Sequence, residues 1–373
     1  MNFTALHTDP QTAARTGRLC FSTGEVETPV FMPVATRATV KGLTTEQARR
    51  CGAQMVLGNT YHLMLHPGSE QVAELGGLHS FMAWEGPILT DSGGYQVFSL
   101  AELNEINDDG VEFRSPRDGS MLFLGPDEAV EAQQNLGADI AMVFDQCPPY
   151  PCSREDARTA VERTLRWAER CRAAHNAPDQ SLFGILQGGT YRDLREECAA
   201  ELRRMNFDGY AVGGVSVGEE PELRREMTEF SAGLLPRAKP RYLMGVGFPE
   251  DILHAIGAGI DMFDCVAPTR MGRNGTAFTP HGRLRIKNST HRGDPRPVQD
   301  DCDCPCCRLY CRGYLSHLFR CDEMLGPILL SLHNLTFYHR MMARAREAVR
   351  QDRFQTFRNK FLSQYRETED MPC

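Results

Sequence analysis

Short apolar segments recur along the chain, and several of them end in a polar residue or in glycine. Unbroken apolar runs are typical of parallel strands that are buried on both faces. Segments with the spacing of amphipathic helices separate them. The predicted strands cover residues 30–34, 55–59, 88–91, 140–145, 182–187, 209–213, 241–246 and 262–265, and the predicted helices cover 45–50, 126–136, 153–176, 191–205, 222–235 and 249–258.

Eight strands that alternate with helices predict an α/β protein with a closed (β/α)₈ TIM barrel rather than an open doubly wound sheet. Residues 3–23 predict an N-terminal hairpin, with Gly17 and Gly24 as turn signals. Residues 92–125 predict an insertion after the third strand, and segment 111–124 within it has the pattern of a small hairpin.

Composition places the chain among globular proteins. Its 373 residues, of which 41% are hydrophobic, are enough for a sizeable core. No apolar run approaches the roughly 18 residues of a membrane helix, and the N-terminus lacks the basic and apolar regions of a signal peptide. Most of the 14 cysteines stand alone, as reduced thiols do in a cytosolic enzyme. We therefore expect a cytoplasmic protein without membrane contact.

Polar residues at the ends of predicted strands form a candidate active site. They are Asp91, Asp145, Gln187, Gly214 and Asp264. A turn or helix cap is the alternative interpretation for any single Asp. Because the carboxyl ends of barrel strands meet at one face, five such residues in the same phase indicate one site built from several loops.

A basic segment follows the last predicted strand, although the chain as a whole has a net charge of −8. Between residues 270 and 296 one acidic residue, Asp294, accompanies the basic residues Arg270, Arg273, Arg283, Arg285, Lys287, Arg292 and Arg296. Such a run can be a solvated charged face. Because arginine makes bidentate contacts with phosphate, binding of a polyanion is the competing interpretation.

Cysteines cluster in the segment CDCPCC at 302–307. Cys302, Cys304 and Cys307 have C-x-C-x-x-C spacing, and His333 on a later predicted helix completes a ligand set of three sulfurs and one nitrogen for zinc. A C-x-x-C redox pair is the alternative, but its usual βαβ context is missing. Spacing leaves rival ligands open, namely Cys306, Cys311, His317 and His339.

Four protein ligands leave the ion no open position, so we expect one structural Zn²⁺ per subunit. It would tie the helical C-terminus to the barrel. We expect a single catalytic domain over 1–373, with the hairpin and most of the barrel in 1–270. Residues 271–373 would hold the basic segment, an inserted zinc-binding subdomain, a helix over 327–350 and a polar tail.

Several motifs occur in consistent order over nearly the whole chain: DSGGYQ at 91–96, DQC at 145–147, QGG at 187–189, GGVSVGE at 213–219, YLMGVG at 242–247, DC at 264–265, PTRMGRNG at 268–275 and the cysteine cluster with its histidine. Together they closely resemble the bacterial tRNA-guanine transglycosylase family. The resemblance implies a (β/α)₈ barrel with a zinc subdomain, commonly as a homodimer. It also implies that guanine at the anticodon wobble position of tRNA for Asp, Asn, His and Tyr is exchanged for a 7-deazaguanine in queuosine biosynthesis.

The resemblance also implies roles for single residues. Asp264 would be the nucleophile that attacks the ribose anomeric carbon, and Asp91 would be the acid and base. Exchange with retained configuration needs two displacements, for which a nucleophilic carboxylate and a proton-transferring carboxylate are sufficient. Arg270 and Arg273 would contact phosphates beside the flipped nucleotide. The residues implied in binding the base are Asp91, Ser92, Tyr95, Asp145, Cys147, Gln187, Gly214, Val215, Val217, Glu219 and Met244.

Within this set the family uses different contacts on the edge and on the faces of the purine. Asp145 and Gln187 hydrogen-bond the edge, and the Gly214 amide meets the base carbonyl. Tyr95 and Met244 sandwich the ring, which needs a stacking surface on each face. Plain core packing is the alternative for either of these two side chains taken alone.

The choice of incoming base depends on the pocket wall. Cys147 and Val217 match the bacterial pattern, in which a small pocket favours 7-aminomethyl-7-deazaguanine. The alternative is a salvage enzyme of the same family that inserts queuine. Val215 departs from the expected leucine; its carbonyl is expected to serve the aminomethyl group, and its shorter side chain would enlarge the pocket.

Two rival functions belong to other classes. A metal-dependent barrel hydrolase would use Asp91, Asp145 and Asp264 around a catalytic ion, but none of the strand ends carries the histidine usual in such sites. A non-catalytic tRNA-binding subunit, as some eukaryotic relatives of the family are, is disfavoured by the presence of both Asp91 and Asp264.

Overall fold

The computed structural model of the chain describes residues 1–100 and 104–366. The N-terminal part is a three-stranded antiparallel sheet instead of a two-stranded hairpin. Its strands are β1 (Asn2–Thr8), β2 (Arg15–Phe21) and β3 (Gly24–Thr28).

Gly17 is not a turn residue, contrary to the prediction. It lies within β2, where it pairs with Ala5 on β1 and with Thr28 on β3. A β-carbon at this position would lie 2.7 Å from the ring of Phe3. Glycine therefore makes room here for an aromatic ring packed on the sheet, which is the second common reason for glycine inside a strand.

The barrel begins directly after β3. Its first three strands are separated by four short helices, of which the sequence pattern predicted the first alone. In chain order the elements are β4 (Val30–Pro33), α1 (Thr45–Arg50), β5 (Val56–Gly58), α2 (Thr60–Leu65), α3 (Ser69–Glu74), α4 (Gly77–Met82) and β6 (Ile88–Thr90).

The insertion after β6 has one strand more than the predicted hairpin. Its elements are α5 (Gly94–Leu100), β7 (Asn104–Ile106), β8 (Val111–Arg114) and β9 (Met121–Leu124). Strand β8 pairs antiparallel with both β7 and β9. These three strands form a small sheet that is separate from the barrel sheet.

The other five barrel strands alternate with longer helices, as predicted. The elements are α6 (Pro126–Leu136), β10 (Ile140–Met142), α7 (Arg154–Ala174), β11 (Ser181–Leu186), α8 (Arg192–Met205), β12 (Gly209–Val212), α9 (Pro221–Leu234), β13 (Arg241–Leu243), α10 (Pro249–Gly257) and β14 (Met262–Cys265). Local signals start these helices. Proline opens α6, α9 and α10, and the hydroxyl of Ser153 caps α7 by accepting from Asp156 N at 3.0 Å.

The eight parallel strands form one sheet in the order β4-β14-β13-β12-β11-β10-β6-β5. A parallel bridge between Val34 and Leu57 joins the two ends of that order, and Ala35 N donates to Leu57 O at 2.6 Å. The sheet is therefore closed, and the predicted (β/α)₈ fold is confirmed. Because the strands are parallel, their carboxyl ends form one rim of the barrel.

The residues after the barrel add a hairpin and several helices. They are α11 (Ala267–Arg273), β15 (Thr276–Thr279), β16 (Gly282–Arg285), a 3₁₀ turn (Ser289–His291), α12 (Pro305–Leu309), α13 (Arg312–Arg320), α14 (Leu325–Arg350) and α15 (Phe354–Arg366). The predicted polar tail is thus helical up to Arg366, while 367–373 lie outside the described residues. Phe361 of α15 packs against Phe337 of α14 and stacks on Tyr365, which explains why this helix docks.

Helix α14 connects separate parts of the barrel. The side-chain amide of Asn334 donates to the carbonyls of Pro268 at 2.8 Å and Thr276 at 3.0 Å. Tyr338 donates to the carbonyl of Gly247, just after β13. Within the two described ranges, none of the helices combines the length and the apolarity needed to cross a bilayer.

Candidate functional site

The predicted strand-end residues converge on one rim of the barrel. Asp145 follows β10 and Gln187 follows β11; Gln187 Nε2 donates to Asp145 Oδ2 at 2.7 Å. The other end of the Gln187 amide lies against Gly214, where a β-carbon would be 2.5 Å from Oε1. Asp91 and Asp264 lie close enough for the charge of one carboxylate to act on the other. The structure thus brings these residues into one site.

Asp91 is a buried carboxyl group surrounded by hydrogen-bond donors. It accepts from Asn59 Nδ2, from Thr60 N at 2.8 Å and from Gln96 Nε2 at 2.9 Å. Burial raises the pKa of Asp91 to about 6, although these donors act in the opposite direction. A carboxyl group with this pKa can both hold and release a proton near neutral pH.

Asp264 has one oxygen fixed and one open. Oδ1 accepts from Tyr242 Oη at 2.6 Å and from Gly245 N at 2.8 Å. No group in the described ranges donates a hydrogen bond to Oδ2. Burial raises the pKa of Asp264, and the two donors to Oδ1 lower it. An oriented carboxylate with a free oxygen is suited to nucleophilic attack.

Asp145, Gln187 and Ser92 form a buried polar edge. Ser92 Oγ donates to Asp145 Oδ1 at 3.3 Å. Burial raises the pKa of Asp145 to about 6, against hydrogen bonds from Gln187 and Ser92. Gln187 Oε1 is buried without a hydrogen-bond partner among the described residues. Because buried polar atoms in native proteins are nearly always paired, this edge is suited to a polar ligand.

The two candidate stacking residues differ in exposure. Tyr95, at the start of α5, is 52% exposed. Met244 directly follows β13 and is half-buried against the hydrophobic core. Core packing therefore does not account for Tyr95, whose ring has a free face for stacking. Met244 is compatible with both interpretations.

Cys147 lies among the residues of the polar edge. Burial raises the pKa of its thiol to about 12, and the charge of Asp145 acts in the same direction. Cys147 is a neutral, half-buried part of the pocket wall.

The loop after β12 supplies the rest of the predicted wall. Val217 is half-buried, and Val215 packs in the hydrophobic core. Glu219 is buried and accepts from Ser216 N and from Val217 N at 2.9 Å. These bonds turn the loop back on itself and fix the backbone at Val217.

Sequence reasoning missed four residues of the site: Asn59, Gln96, Arg195 and Tyr242. Asn59 follows β5, so the strand-end signal that identified Asp91 also applied to it. Gln96 closes the DSGGYQ motif. Tyr242 opens the YLMGVG motif, but the sequence does not show that it contacts Asp264, and no pattern distinguishes Arg195 in the charged helix α8.

Arg270 and Arg273 lie on α11, directly after the strand of Asp264. Arg270 is exposed, and Arg273 Nη1 is buried without a partner in the described part of the chain. Burial and the neighbouring Arg270 lower the pKa of Arg273. Neither arginine forms an ion pair with a described residue, unlike Arg296, which pairs with Asp294 at 2.8 Å. Two adjacent unpaired guanidinium groups are suited to a phosphate.

Cys302, Cys304, Cys307 and His333 form a buried cluster. Their ligand atoms all lie within 4.8 Å of one another, and the three sulfurs are 3.8, 3.7 and 3.3 Å from His333 Nδ1. His333 Nε2 donates to Phe278 O at 2.8 Å, so the lone pair of Nδ1 faces the sulfurs. The cluster can therefore hold one metal ion.

The rival ligands do not join this cluster. Cys311 Sγ accepts from Tyr314 N at 3.4 Å, and His317 Nδ1 lies 3.7 Å from the sulfur of Cys321. Burial lowers the pKa of His339 to about 3. Cys306 is buried outside the converging group.

Across the described ranges, this is the one group of three or more His, Cys, Asp or Glu residues whose ligand atoms converge. Asp91, Asp145 and Asp264 therefore do not form a ligand set of their own. That arrangement disfavours a hydrolase built around a metal ion bound to the three carboxylates.

Comparison with known proteins gives one family. A family model described as queuine tRNA-ribosyltransferase matches residues 9–367. A queuine tRNA-ribosyltransferase from Pelotomaculum thermopropionicum is 54% identical over 365 residues, which cover 98% of this chain and 99% of the relative. The proteins of the same name from Halothermothrix orenii and Symbiobacterium thermophilum are 50% identical over 365 residues (98% of each chain) and 52% identical over 361 residues (96% of this chain, 90% of the relative).

Proposed function

The chain belongs to the queuine tRNA-ribosyltransferase family, and from that premise we propose that it exchanges guanine at the wobble position of tRNA for 7-aminomethyl-7-deazaguanine. Its substrates are the tRNAs for Asp, Asn, His and Tyr. The observation that carries this proposal is a pair of neighbouring carboxyl groups, the buried Asp91 and the half-buried Asp264. Asp264 has one fixed and one open oxygen, and Asp91 lies beside it with a pKa of about 6.

In the first displacement, the open oxygen of Asp264 attacks C1′ of the guanosine, and the bond from C1′ to N9 breaks. The electron pair of that bond leaves with guanine, and Asp91 in its acid form gives the base a proton. A ribosyl ester of Asp264 remains, with Asp91 as a carboxylate. Tyr242 and Gly245 hold the other oxygen of Asp264 throughout.

In the second displacement, the ring nitrogen of the incoming base attacks C1′, and the ester bond to Asp264 breaks. The carboxylate of Asp91 takes the proton from that nitrogen. Both carboxyl groups return to their starting states. Two inversions at C1′ retain the configuration of the glycosidic bond.

The base is recognised along one edge and between two faces. Asp145 accepts from the N–H groups of the guanine-type edge, while the Gln187 side chain and the Gly214 amide donate to the base carbonyl. Tyr95 and Met244 stack on the ring. The exposed ring of Tyr95 supports this assignment, since a bound base would give it a stacking partner.

The tRNA is held beside the flipped nucleotide by Arg270 and Arg273. Both lie on the helix that follows the Asp264 strand, and neither is neutralised by a described carboxylate. Phosphates that flank the reacting ribose would satisfy them.

The ion in the Cys302, Cys304, Cys307 and His333 cluster is zinc, and its role is structural. Three thiolates and an imidazole are a common tetrahedral zinc set, and they fill all four positions. When bound, the ion would link the segment after β16 to helix α14.

The active form is a homodimer. The region around the metal cluster exposes apolar side chains: Leu309 is 68% and Met324 80% exposed. Tyr314 stacks on Tyr310 with 5.3 Å between ring centres. Exposed apolar surface of this kind marks contact sites between proteins. Sedimentation of Leu309→Glu should show a shift toward monomer; an unchanged profile would move the contact elsewhere.

The function is tested with unmodified tRNA and radiolabelled guanine. We expect the protein to incorporate label into tRNA, and Asp264→Asn to incorporate none. A protein that binds tRNA without incorporation would be a binding subunit, and release of guanine without replacement would indicate a hydrolase. Either result would overturn the proposal.

A further inference from the structure

Arg195 is a fully buried arginine without an acidic partner. It projects from α8 and is 0% exposed, and among the described residues it forms no ion pair. Its guanidinium group instead donates to backbone carbonyls of the two loops that follow β11 and β12. Nε donates to Gly189 O at 2.7 Å, and Nη2 donates to Gly213 O and to Gly214 O, each at 3.1 Å.

Glycines shape the two loops that Arg195 contacts. Gly188 has φ +139°, and a β-carbon there would lie 2.8 Å from Arg195 Cγ. Gly214 has φ +62°, and a β-carbon there would lie 3.5 Å from Arg195 Nη2 and 2.5 Å from Gln187 Oε1. The positive φ and the lack of space both require glycine. Gly188 of the QGG motif therefore leaves space for Arg195, whereas Gly214 of the GG motif leaves space for the Gln187 amide.

Resting on the proposed function, we propose that Arg195 is a positioning residue that orients and polarises the peptide group presented to the carbonyl oxygen of the base. Gly213 C=O and Gly214 N–H belong to the same peptide group. Arg195 Nη1 and Nη2 hold the carbonyl end at 3.2 and 3.1 Å. The N–H end is the donor that the proposed function assigns to the base carbonyl.

The charge on Arg195 explains why this interaction affects reactivity and not only shape. Burial lowers its pKa to about 10, so the group remains a cation at neutral pH. A cation at the carbonyl end of a peptide strengthens its N–H as a donor, because hydrogen bonds in a chain polarise one another. When the glycosidic bond breaks, charge moves onto the base carbonyl oxygen, and a fixed donor stabilises it there.

Arginine is required for the bridge between the two loops. Its fork places separate N–H groups on three carbonyls, which the single ammonium of lysine cannot do. Lysine at 195 would keep the charge but lose most of the orientation. Glutamine would lose the charge and keep at most two donors. The two variants therefore separate orientation from polarisation.

The test compares incorporation of radiolabelled guanine and of labelled 6-thioguanine into tRNA by Arg195→Gln, Arg195→Lys and the unchanged protein. Sulfur is a weaker hydrogen-bond acceptor than oxygen. A more strongly polarised Gly214 N–H should therefore stabilise 6-thioguanine less than guanine. For Arg195→Gln we expect kcat/KM with guanine to fall about tenfold, which is a smaller loss than removal of a direct donor causes. The fall in kcat/KM with 6-thioguanine should be smaller than the fall with guanine. Arg195→Lys should fall between the two proteins.

Arg241→Gln is the matched control. Arg241 is also buried, and its Nη2 donates to a carbonyl, that of Leu235, at 2.6 Å, but it opens β13 at the opposite end of the barrel. Its loss should lower Tm without changing the ratio of the two bases. Equal losses with guanine and 6-thioguanine in both Arg195 variants would overturn the inference. Absence of exchange in the unchanged protein would instead refute the proposed function. Should Arg195→Gln not fold, the base ratio of Arg195→Lys decides.

Discussion

At the scale of single residues, the proposal gives the two oxygens of Asp264 different roles: Oδ2 attacks the ribose, and Oδ1 is held by hydrogen bonds. Different substitutions can remove each role separately. Asp264→Asn keeps the size of the side chain but removes the nucleophile. We expect loss of exchange by at least about 10⁴-fold and loss of the covalent enzyme–RNA adduct. Denaturing gels with labelled tRNA detect the adduct. A denaturant-stable adduct in this variant would assign the nucleophile to another residue.

Tyr242→Phe leaves the nucleophile in place and removes one donor to Oδ1. That donor lowers the pKa of Asp264, so its loss raises the pKa further. Because Asp264 must be ionised to attack, the acid limb of the pH–rate profile should move to higher pH. The apparent pKa values belong to Asp264 and Asp91 as a coupled pair. An unchanged acid limb would contradict the assignment.

Base selection is argued from the volume at Val217. Queuine carries a ring on the aminomethyl nitrogen, and overpacking commonly costs about 1–3 kcal/mol. We expect the unchanged protein to prefer the aminomethyl base and Val217→Gly to accept more queuine, with guanine exchange little changed. Competition between the two bases measures this. Equal use of both by the unchanged protein would indicate a salvage enzyme. Val215 packs in the core, so having valine instead of the expected leucine changes the core packing as well as the pocket.

At the scale of elements, the metal cluster joins residues 302–307 to α14. Cys302→Ser or His333→Ala removes one of four ligands, and we expect near-complete loss of bound zinc together with a lower Tm. Cys311→Ser is the control, since its sulfur lies outside the cluster and should leave the metal content unchanged. Metal analysis and thermal unfolding give the two readouts. Full zinc content in His333→Ala would exclude this histidine as a ligand.

Helix α11 offers a second test, in the salt dependence of tRNA binding. For each phosphate that Arg270→Gln or Arg273→Gln leaves without its arginine, the slope of log K against log salt should fall by roughly 0.9 for duplex and 0.7 for single-stranded RNA. Arg296→Gln is the control because Asp294 already neutralises that side chain. If α11 and control variants had the same slope as the unchanged protein, the basic segment would be a solvated face.

Much of this element order could be predicted from the sequence, because buried parallel strands and amphipathic helices have periodic patterns. All eight barrel strands were predicted, as were α1, α6, α7, α8, α9, α10 and α14, with α1 and α6 at their observed bounds. The helical tail was missed even though Phe354, Phe357, Phe361 and Tyr365 have helical spacing. Helices α2, α3 and α4 have six residues each, too few for a clear period. Arg195 could not be predicted, because nothing in α8 indicates which carbonyls lie opposite it.

At the scale of the whole molecule, the site draws on seven of the eight barrel strands. Its groups follow β5, β6, β10, β11, β12 and β13 or lie on β14. The chain is acidic overall, with a net charge of −8, so much of its surface repels an RNA, and the proposed contacts at α11 would supply the local attraction. Orientation of tRNA on the barrel therefore follows from the distribution of charge.

Helix α14 and the residues after it contact the N-terminal strands. These contacts affect folding of the chain during translation. Arg346 donates to Pro29 O at 2.9 Å, Phe354 N to Asp9 Oδ2 at 3.2 Å, and His7 bonds to Asp352 at 2.7 Å. A ribosome releases the early strands first, long before these partners exist. The barrel of the nascent chain therefore cannot complete its packing, and part of its apolar surface stays exposed, until α14 and the residues after it have been translated. Its last folding step therefore comes at the end of synthesis, and a nascent chain stalled before α14 becomes a substrate for chaperones and proteases.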